Sequence, residues 1–380
     1  MKRELLRAAL LASAVLLVGA LILLQTEGLI LAAQWFVACI LLTTFVFLQC
    51  WQRRALNRAA LDSPLYSTLG WANHITLVRG VLIAACGGFL WPDAPDVAIG
   101  WICAPLYTVA VILDRVDGFV ARRSGRTTLL GTELDTAVDA LGLLVVPLLA
   151  VDLGKIHWSY LLVSVAYYLF QLGLYWRRQH GKPVYPLVPH NLRRVLAGFQ
   201  MGFVAVVLWP PFLAPMTLVM GIAFMVPVLI GFIIDWFVVS GRIQAQRPAT
   251  AEWFSKLAVF STTFFQPALR LLLLMALFVF SRNPDLAQLT QHLTQQNSFW
   301  SAAVLNYTLG VCAAMIVLGF CGRIGALVLL GLLTCYFPAV SLQSAMVAVM
   351  VSAVWILLLG CGRFSLWQYD DRWITRYDGL

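Results

Sequence analysis

Apolar runs separated by short polar or basic intervals recur along nearly the whole chain. Each is about 17 to 25 residues long, enough for a helix to cross a hydrocarbon core roughly 30 Å thick. The pattern predicts twelve spans, near residues 8–25, 29–50, 77–92, 98–116, 134–153, 158–176, 195–211, 215–239, 257–281, 300–320, 324–340 and 344–361. The expected fold is therefore all-α: a polytopic membrane protein of about twelve transmembrane helices.

Composition agrees with the pattern. Of 380 residues, 61% are hydrophobic and 11% charged, far from the balance of a soluble domain. Buried soluble helices are rarely so numerous or so long. The opening MKRELLR precedes an apolar run as in a signal peptide, but a second apolar segment follows almost at once, so an uncleaved helix is expected. The net charge of +9 comes from short Lys and Arg clusters between spans, which fits topology better than a nucleic-acid surface.

With a cytoplasmic N-terminus, the clusters Lys2/Arg3/Arg7, Arg53/Arg54/Arg58, Arg122/Arg123/Arg126, Arg177/Arg178/Lys182, Arg242/Arg247, Arg323 and Arg372/Arg376 all fall on the cytoplasmic side. The opposite loops, QTEG, WPDAPD and PDLAQLTQHLTQQNS, carry few positive charges. Eight cysteines lie mostly in or beside apolar stretches without CxxC pairing, and point to neither zinc nor a disulfide framework.

Three regions are expected: two transmembrane helices in 1–58, a six-span region in 59–248, and a four-helix module in 251–380. YSTLGWANHITLVRG, between the first two, suggests an interfacial helix leading into span three. SGRIQAQRPATAEWFSK reads as the linker between the second and third.

The chemistry concentrates in DRVDGFVARRSGRTTLLGTELDTAVD, which sets Asp114, Asp117, Asp135 and Asp139 at the cytoplasmic ends of two successive spans. A charge near the centre of a membrane helix costs about 2.5–3.5 kcal/mol on insertion scales, so such carboxylates usually face a wet cavity or a partner. Asp114 and Asp117 lie some 60° apart around their helix, and Asp135 and Asp139 about 40°. Each pair shares a face, and a short turn lets the faces meet. Four hard oxygen donors in one volume suit Mg2+ or Mn2+. Gly118, Ala121 and Gly131 bare the backbone beside them, either for a nucleotide or for close helix packing. Arg122 offers a planar fork for a diphosphate; Arg123 and Arg126 read as positive-inside anchors.

These residues match D-x2-D-G-x2-A-R-x8-G-x3-D-x3-D at every fixed position, and the segment resembles the signature of the CDP-alcohol phosphotransferase (CDP-alcohol phosphatidyltransferase) family. The resemblance implies a six-helix core over about residues 65–245, at the cytoplasmic membrane face, binding a CDP-linked substrate. It implies two divalent ions, Mg2+ or Mn2+, on Asp114, Asp117, Asp135 and Asp139, with Asp139 also the base for the acceptor hydroxyl. It assigns Gly118 and Arg122 to the nucleotide diphosphate, Ala121 and Gly131 to the same cofactor-binding stripe, and Thr128 to the following turn. Asn73 and Thr76 are the matching positions for further nucleotide contacts, with helix capping an equal reading of Asn73.

The expected activity is transfer of a phosphatidyl group from CDP-diacylglycerol to an acceptor alcohol with release of CMP, in phospholipid biosynthesis at a bacterial inner membrane. The alternatives are a soluble CDP-alcohol giving its headgroup to a lipid alcohol, or an ion-coupled transporter, which would spread its acidic residues over repeat-related helices. The expected partners are these substrates and the bilayer, a homodimer is a further expectation, and no nucleic acid is expected. Arg193 and Arg194 read equally as acceptor-phosphate ligands and as topological anchors, and Asp235 as a partner of Arg242. The last four spans, with LGFCGRIG, LGCGRFS and the closing GRFSL, resemble a DoxX-type four-helix membrane module.

Overall fold

A computed structural model of the chain describes residues 1–90, 96–187, 191–244, 247–284, 302–336, 342–367 and 369. The loop WPDAPD, the loop following Pro284, and Arg372 and Arg376 lie largely or wholly outside these residues. The described residues are mostly helical and form no strands, with a single isolated bridge between Phe320 and Trp367.

In chain order the helices are α1 (Lys2–Thr26), α2 (Leu29–Gln52), α3 (Trp71–Gly87), α4 (Asp96–Arg123), α5 (Leu129–Asp152), α6 (Leu161–Gln179), α7 (Asn191–Val207), α8 (Met216–Val239), α9 (Pro248–Phe260), α10 (Gln266–Ser281), α11 (Ala302–Leu318), α12 (Gly322–Tyr336) and α13 (Ser344–Leu359). A π-turn at Ser261–Phe265 joins α9 to α10. Among the described residues, six helices are long and apolar enough to cross a membrane: α1, α2, α4, α5, α8 and the continuous α9–α10.

A helix overlaps each of the twelve predicted spans, yet length and composition carry six crossings. The shortfall has physical causes. α3 has 17 residues and contains Asn73, His74 and Arg79; α6 carries Arg177 and Arg178 in its last turn; α13 has 16 residues. Boundaries also moved. The segment read as an interfacial helix divides into a non-helical stretch, Tyr66 to Gly70, and the opening turns of α3 itself. The linker ends early, because Pro248 lies in the first turn of α9, where its missing N–H costs nothing.

The described chain divides into two compact units, residues 1–164 with 201–212, and residues 165–200 with 213–380. In the first, α3 packs against α2, α4 and α5. Glycines permit the α2 approach: a Cβ on Gly80 would lie 2.6 Å from Val46, and one on Gly87 2.4 Å from Leu42. Trp35 Nε1 on α2 donates to Ala85 O on α3 at 3.0 Å, fixing depth as well as distance. The outward side of α1 stays apolar and exposed, with Leu10, Leu11 and Val15 all more than 60% accessible, as a lipid-facing surface requires.

In the second unit, α13 is the central element, packed by α8, α10 and α12. It is apolar all round and its buried residues span its length, which is the signature of a helix enclosed by others. Arg270 of α10 is 7% exposed and donates to the carbonyls of Cys361 at 3.1 Å and Phe364 at 2.8 Å, and to that of Val317. Arg323 of α12 donates to Leu357 O at 2.8 Å and Leu358 O at 3.1 Å. Arg323 thus binds carbonyls in the last turn of α13, and Arg270 binds one in the last turn of α11 together with two in the segment after α13, groups left without intrahelical partners.

Candidate active site

The site is built on α3, α4 and α5 of the first unit. Gly70, with φ of +87°, turns the chain into α3, a conformation open to glycine and costly for other residues. Asn73, Thr76 and Arg79 then recur every third residue along one side of the helix, and all three are buried. α4 brings Asp114 and Asp117, and α5 brings Asp135 and Asp139, to the same place.

The four carboxylates meet on Arg79, whose side chain is 1% exposed. Its Nη2 bridges Asp114 Oδ1 at 2.6 Å and Asp139 Oδ1 at 2.5 Å. Its Nη1 bridges Asp117 Oδ2 at 3.0 Å and Asp135 Oδ1 at 2.6 Å. Each terminal nitrogen thus joins one aspartate of α4 to one of α5. Thr76 Oγ1 adds a 2.9 Å hydrogen bond to Asp117 Oδ2, so this carboxylate is the most enclosed of the four. The spacing argument holds, in that both pairs share faces and the faces converge.

Oxygens of Asp114, Asp135 and Asp139 lie within 4.8 Å of one another, close enough to hold a metal ion. Asp117 stands outside that trio, turned toward Thr76 and Arg79. The donor set fits a hard divalent cation. Arg79 already occupies a cation's place among these oxygens, and one guanidinium against four carboxylates leaves a formal excess of three negative charges.

Arg79 is the functional residue that sequence reasoning missed. The signal was present: an arginine three residues after Thr76 in an apolar run bears the same insertion cost that drew attention to the aspartates.

The remaining predicted residues fall into two groups. Beside α4, Arg122 folds back over Gly118, with Nη1 3.2 Å from where a Cβ would stand; Arg122 is exposed and Ala121 lies in the same last turn. Beside α3, Asn73, Thr128 and Gly131 form a tight trio, with Asn73 and Thr128 buried. Thr128 caps α5 by accepting from Gly131 N at 2.9 Å. A Cβ on Gly131 would come within 2.8 Å of Asn73 Oδ1. Asn73 Nδ2 lies 3.5 Å from Thr128 Oγ1 and donates to Leu69 O at 2.8 Å. Helix capping by Asn73 is corrected: the cap position of α3 is Gly70, and Asn73 lies inside the first turn.

In the second unit, Arg193 pairs with Asp235 at 2.6 Å. The expected Asp235–Arg242 pair is therefore replaced, and Arg242 lies instead over the Phe237 ring, 5.7 Å from its centroid.

Residues 69–232 match the family model described as CDP-alcohol phosphatidyltransferase. No curated protein and no solved structure gives a significant match. The matched stretch contains every residue of the aspartate cluster, together with Arg79 and the Asn73–Thr128–Gly131 trio.

Proposed function

From the premise that residues 69–232 are a CDP-alcohol phosphatidyltransferase domain, we propose that the protein transfers a phosphatidyl group from CDP-diacylglycerol to an acceptor alcohol, releasing CMP, at the cytoplasmic face of a bacterial inner membrane. The observation that carries this reading is the convergence of four carboxylates from α4 and α5 on one buried point. A structural protein has no reason to bear their insertion cost, and a transporter would distribute them.

Asp114, Asp117, Asp135 and Asp139 would hold two Mg2+ or Mn2+ ions, which supply charge neutralisation for the attacking and leaving oxygens. Asp139 takes the proton of the acceptor hydroxyl as its oxygen bonds to the β-phosphorus, and the bond from that phosphorus to CMP breaks, the electron pair leaving with CMP. Arg122, held over the bare Gly118, binds the diphosphate through its fork. Asn73, Thr128 and Gly131 shape the nucleotide side of the pocket, and Thr76 holds Asp117. Arg79 keeps the four carboxylates gathered.

The shorter helices complete the twelve-span architecture, with 59–248 as the catalytic region and 251–380 as a DoxX-like module. Arg193, with Asp235 beside it, remains a ligand for a phosphate on the acceptor. The test is Asp117→Asn and Asp139→Asn, each purified in detergent. Both should lose metal-dependent CMP release while eluting as folded protein, and full activity in both removes the mechanism. Labelled CDP-diacylglycerol and CDP-choline, run in parallel, separate the lipid-linked donor from a soluble one.

A further inference from the structure

Between a short 3-10 turn at Arg54–Leu56 and the start of α3 the chain has no regular helix, yet several of its polar groups are held by distant parts of the chain. Asn57 is fully buried, and its Nδ2 donates to Tyr66 O at 3.2 Å and Thr68 O at 2.9 Å, while Tyr66 N returns a bond to Asn57 O at 2.8 Å. Arg126, in the turn from α4 to α5, donates from Nη1 to Thr68 Oγ1 at 2.8 Å and from Nη2 to Thr68 O, with its guanidinium 4.5 Å from the Tyr66 ring centroid. Glu4 of α1 accepts from Leu69 N at 2.8 Å. The carbonyl of the same residue, in the next peptide along, accepts from Asn73 Nδ2.

We propose that Tyr66–Gly70 is a strap that sets the nucleotide subsite, and that Glu4 and Arg126 are positioning residues acting through it. The Leu69 residue is the link: its N–H is fixed by Glu4, its C=O fixes Asn73, and Asn73 Oδ1 rests against Gly131. A backbone N–H bonded to a carboxylate is a strong restraint, and the Arg126 fork fixes the neighbouring Thr68 in two directions. This gives α1 a task in the reaction, since the helix contributes the carboxylate that orients the entry to α3. The inference rests on the nucleotide reading of Asn73, Thr128 and Gly131.

A positive-inside anchor needs charge alone, whereas the strap needs a fork. Arg126→Lys keeps the first and loses the second. The experiment measures CMP affinity by titration calorimetry with Mn2+ present, alongside kcat for CMP release, in Arg126→Lys, Arg126→Leu, Glu4→Leu and Asn73→Ala. Thr68→Val, which deletes one acceptor at little change of shape, covers the case in which a charged-residue variant fails to fold. The strap predicts a Kd for CMP raised roughly five- to tenfold in each, the worth of about one hydrogen bond, with kcat within about twofold in the Arg126, Glu4 and Thr68 variants. Adding Arg126→Leu to Asn73→Ala should raise Kd no further, because both act through one contact.

Wild-type CMP affinity in Arg126→Lys, or kcat loss at unchanged Kd across the strap variants, overturns the proposal. If Asn73→Ala weakens CMP and the strap variants do not, the strap alone is wrong. If Asn73→Ala also leaves CMP binding unchanged, the nucleotide reading fails and takes the strap with it.

Discussion

Replacing Arg79 by methionine keeps most of the side-chain volume on α3 and removes the guanidinium from among four carboxylates, whose formal charge rises in magnitude from three to four. Deleting one partner of a buried ion pair costs about 3–5 kcal/mol, because the other charge is left uncompensated. The side chains of Asp117 and Asp114 are 8% and 23% exposed, but those of Asp135 and Asp139 reach 45% and 41%. Water screens the latter two, so the lower end, about 3 kcal/mol, is expected. That is a shift of roughly a hundredfold in the unfolding equilibrium.

The assay is unfolding of the detergent-solubilised protein by SDS titration, in EDTA and in Mn2+. In EDTA the variant should unfold at clearly lower SDS than the parent. Mn2+ should restore much of the difference, since a cation that binds only the folded site stabilises it by mass action, and the variant's more negative site binds it more tightly. Equal stability of variant and parent in EDTA refutes the view that Arg79 holds the carboxylates together. Equal stabilisation of both proteins by Mn2+ refutes the view that guanidinium and metal address the same oxygens.

Two more outcomes follow from the packing. Gly131→Ala places a methyl 2.8 Å from Asn73 Oδ1 and 3.1 Å from Thr128 Oγ1; it should cost about 1–3 kcal/mol by overpacking, seen in the same titration, and lower CMP affinity in calorimetry. Arg270→Met removes three hydrogen bonds to carbonyls in the second unit; with each bond to a charged group worth about 1.5–3 kcal/mol, limited proteolysis should cut residues 318–366 at protease concentrations the parent resists, while an unchanged digest would refute the clamp.

Much of the fold was legible because membrane helices write their length into hydropathy. α1, α2, α4, α5 and α8 cover their predicted spans almost completely, with α1, α4 and α5 running about five to seven residues further at one end. Hydropathy failed where function intrudes. α3 carries its buried Asn73, Thr76 and Arg79 within three turns, so its helix starts inside the stretch that looked interfacial. At the C-terminal end the spans read as ordinary apolar segments, and although Arg270 bore the same insertion cost as Arg79, its partners were unreadable, being backbone carbonyls that no side-chain pattern marks.

The aspartate cluster was legible for the opposite reason. Fixed spacing on two helices joined by a short turn leaves few ways to arrange the side chains, so the i, i+3 and i, i+4 pairs predicted their own convergence. The arginines show the limit of that reasoning. A positive-inside reading sorts basic residues by the side of the membrane they occupy, and within one side it treats them as equivalent. The folded chain does not. Arg126 reads Thr68 through a two-pronged contact, Arg193 is committed to Asp235, Arg53 lies 3.5 Å from Glu133, and Arg122 is drawn over Gly118. Apart from Gly118, one helical turn before Arg122, each partner lies far along the chain, so sequence spacing holds no record of it. What distinguishes these residues is fork geometry, and a lysine scan of the basic clusters, scored for CMP affinity, would sort the arginines that recognise a partner from those that only mark a side.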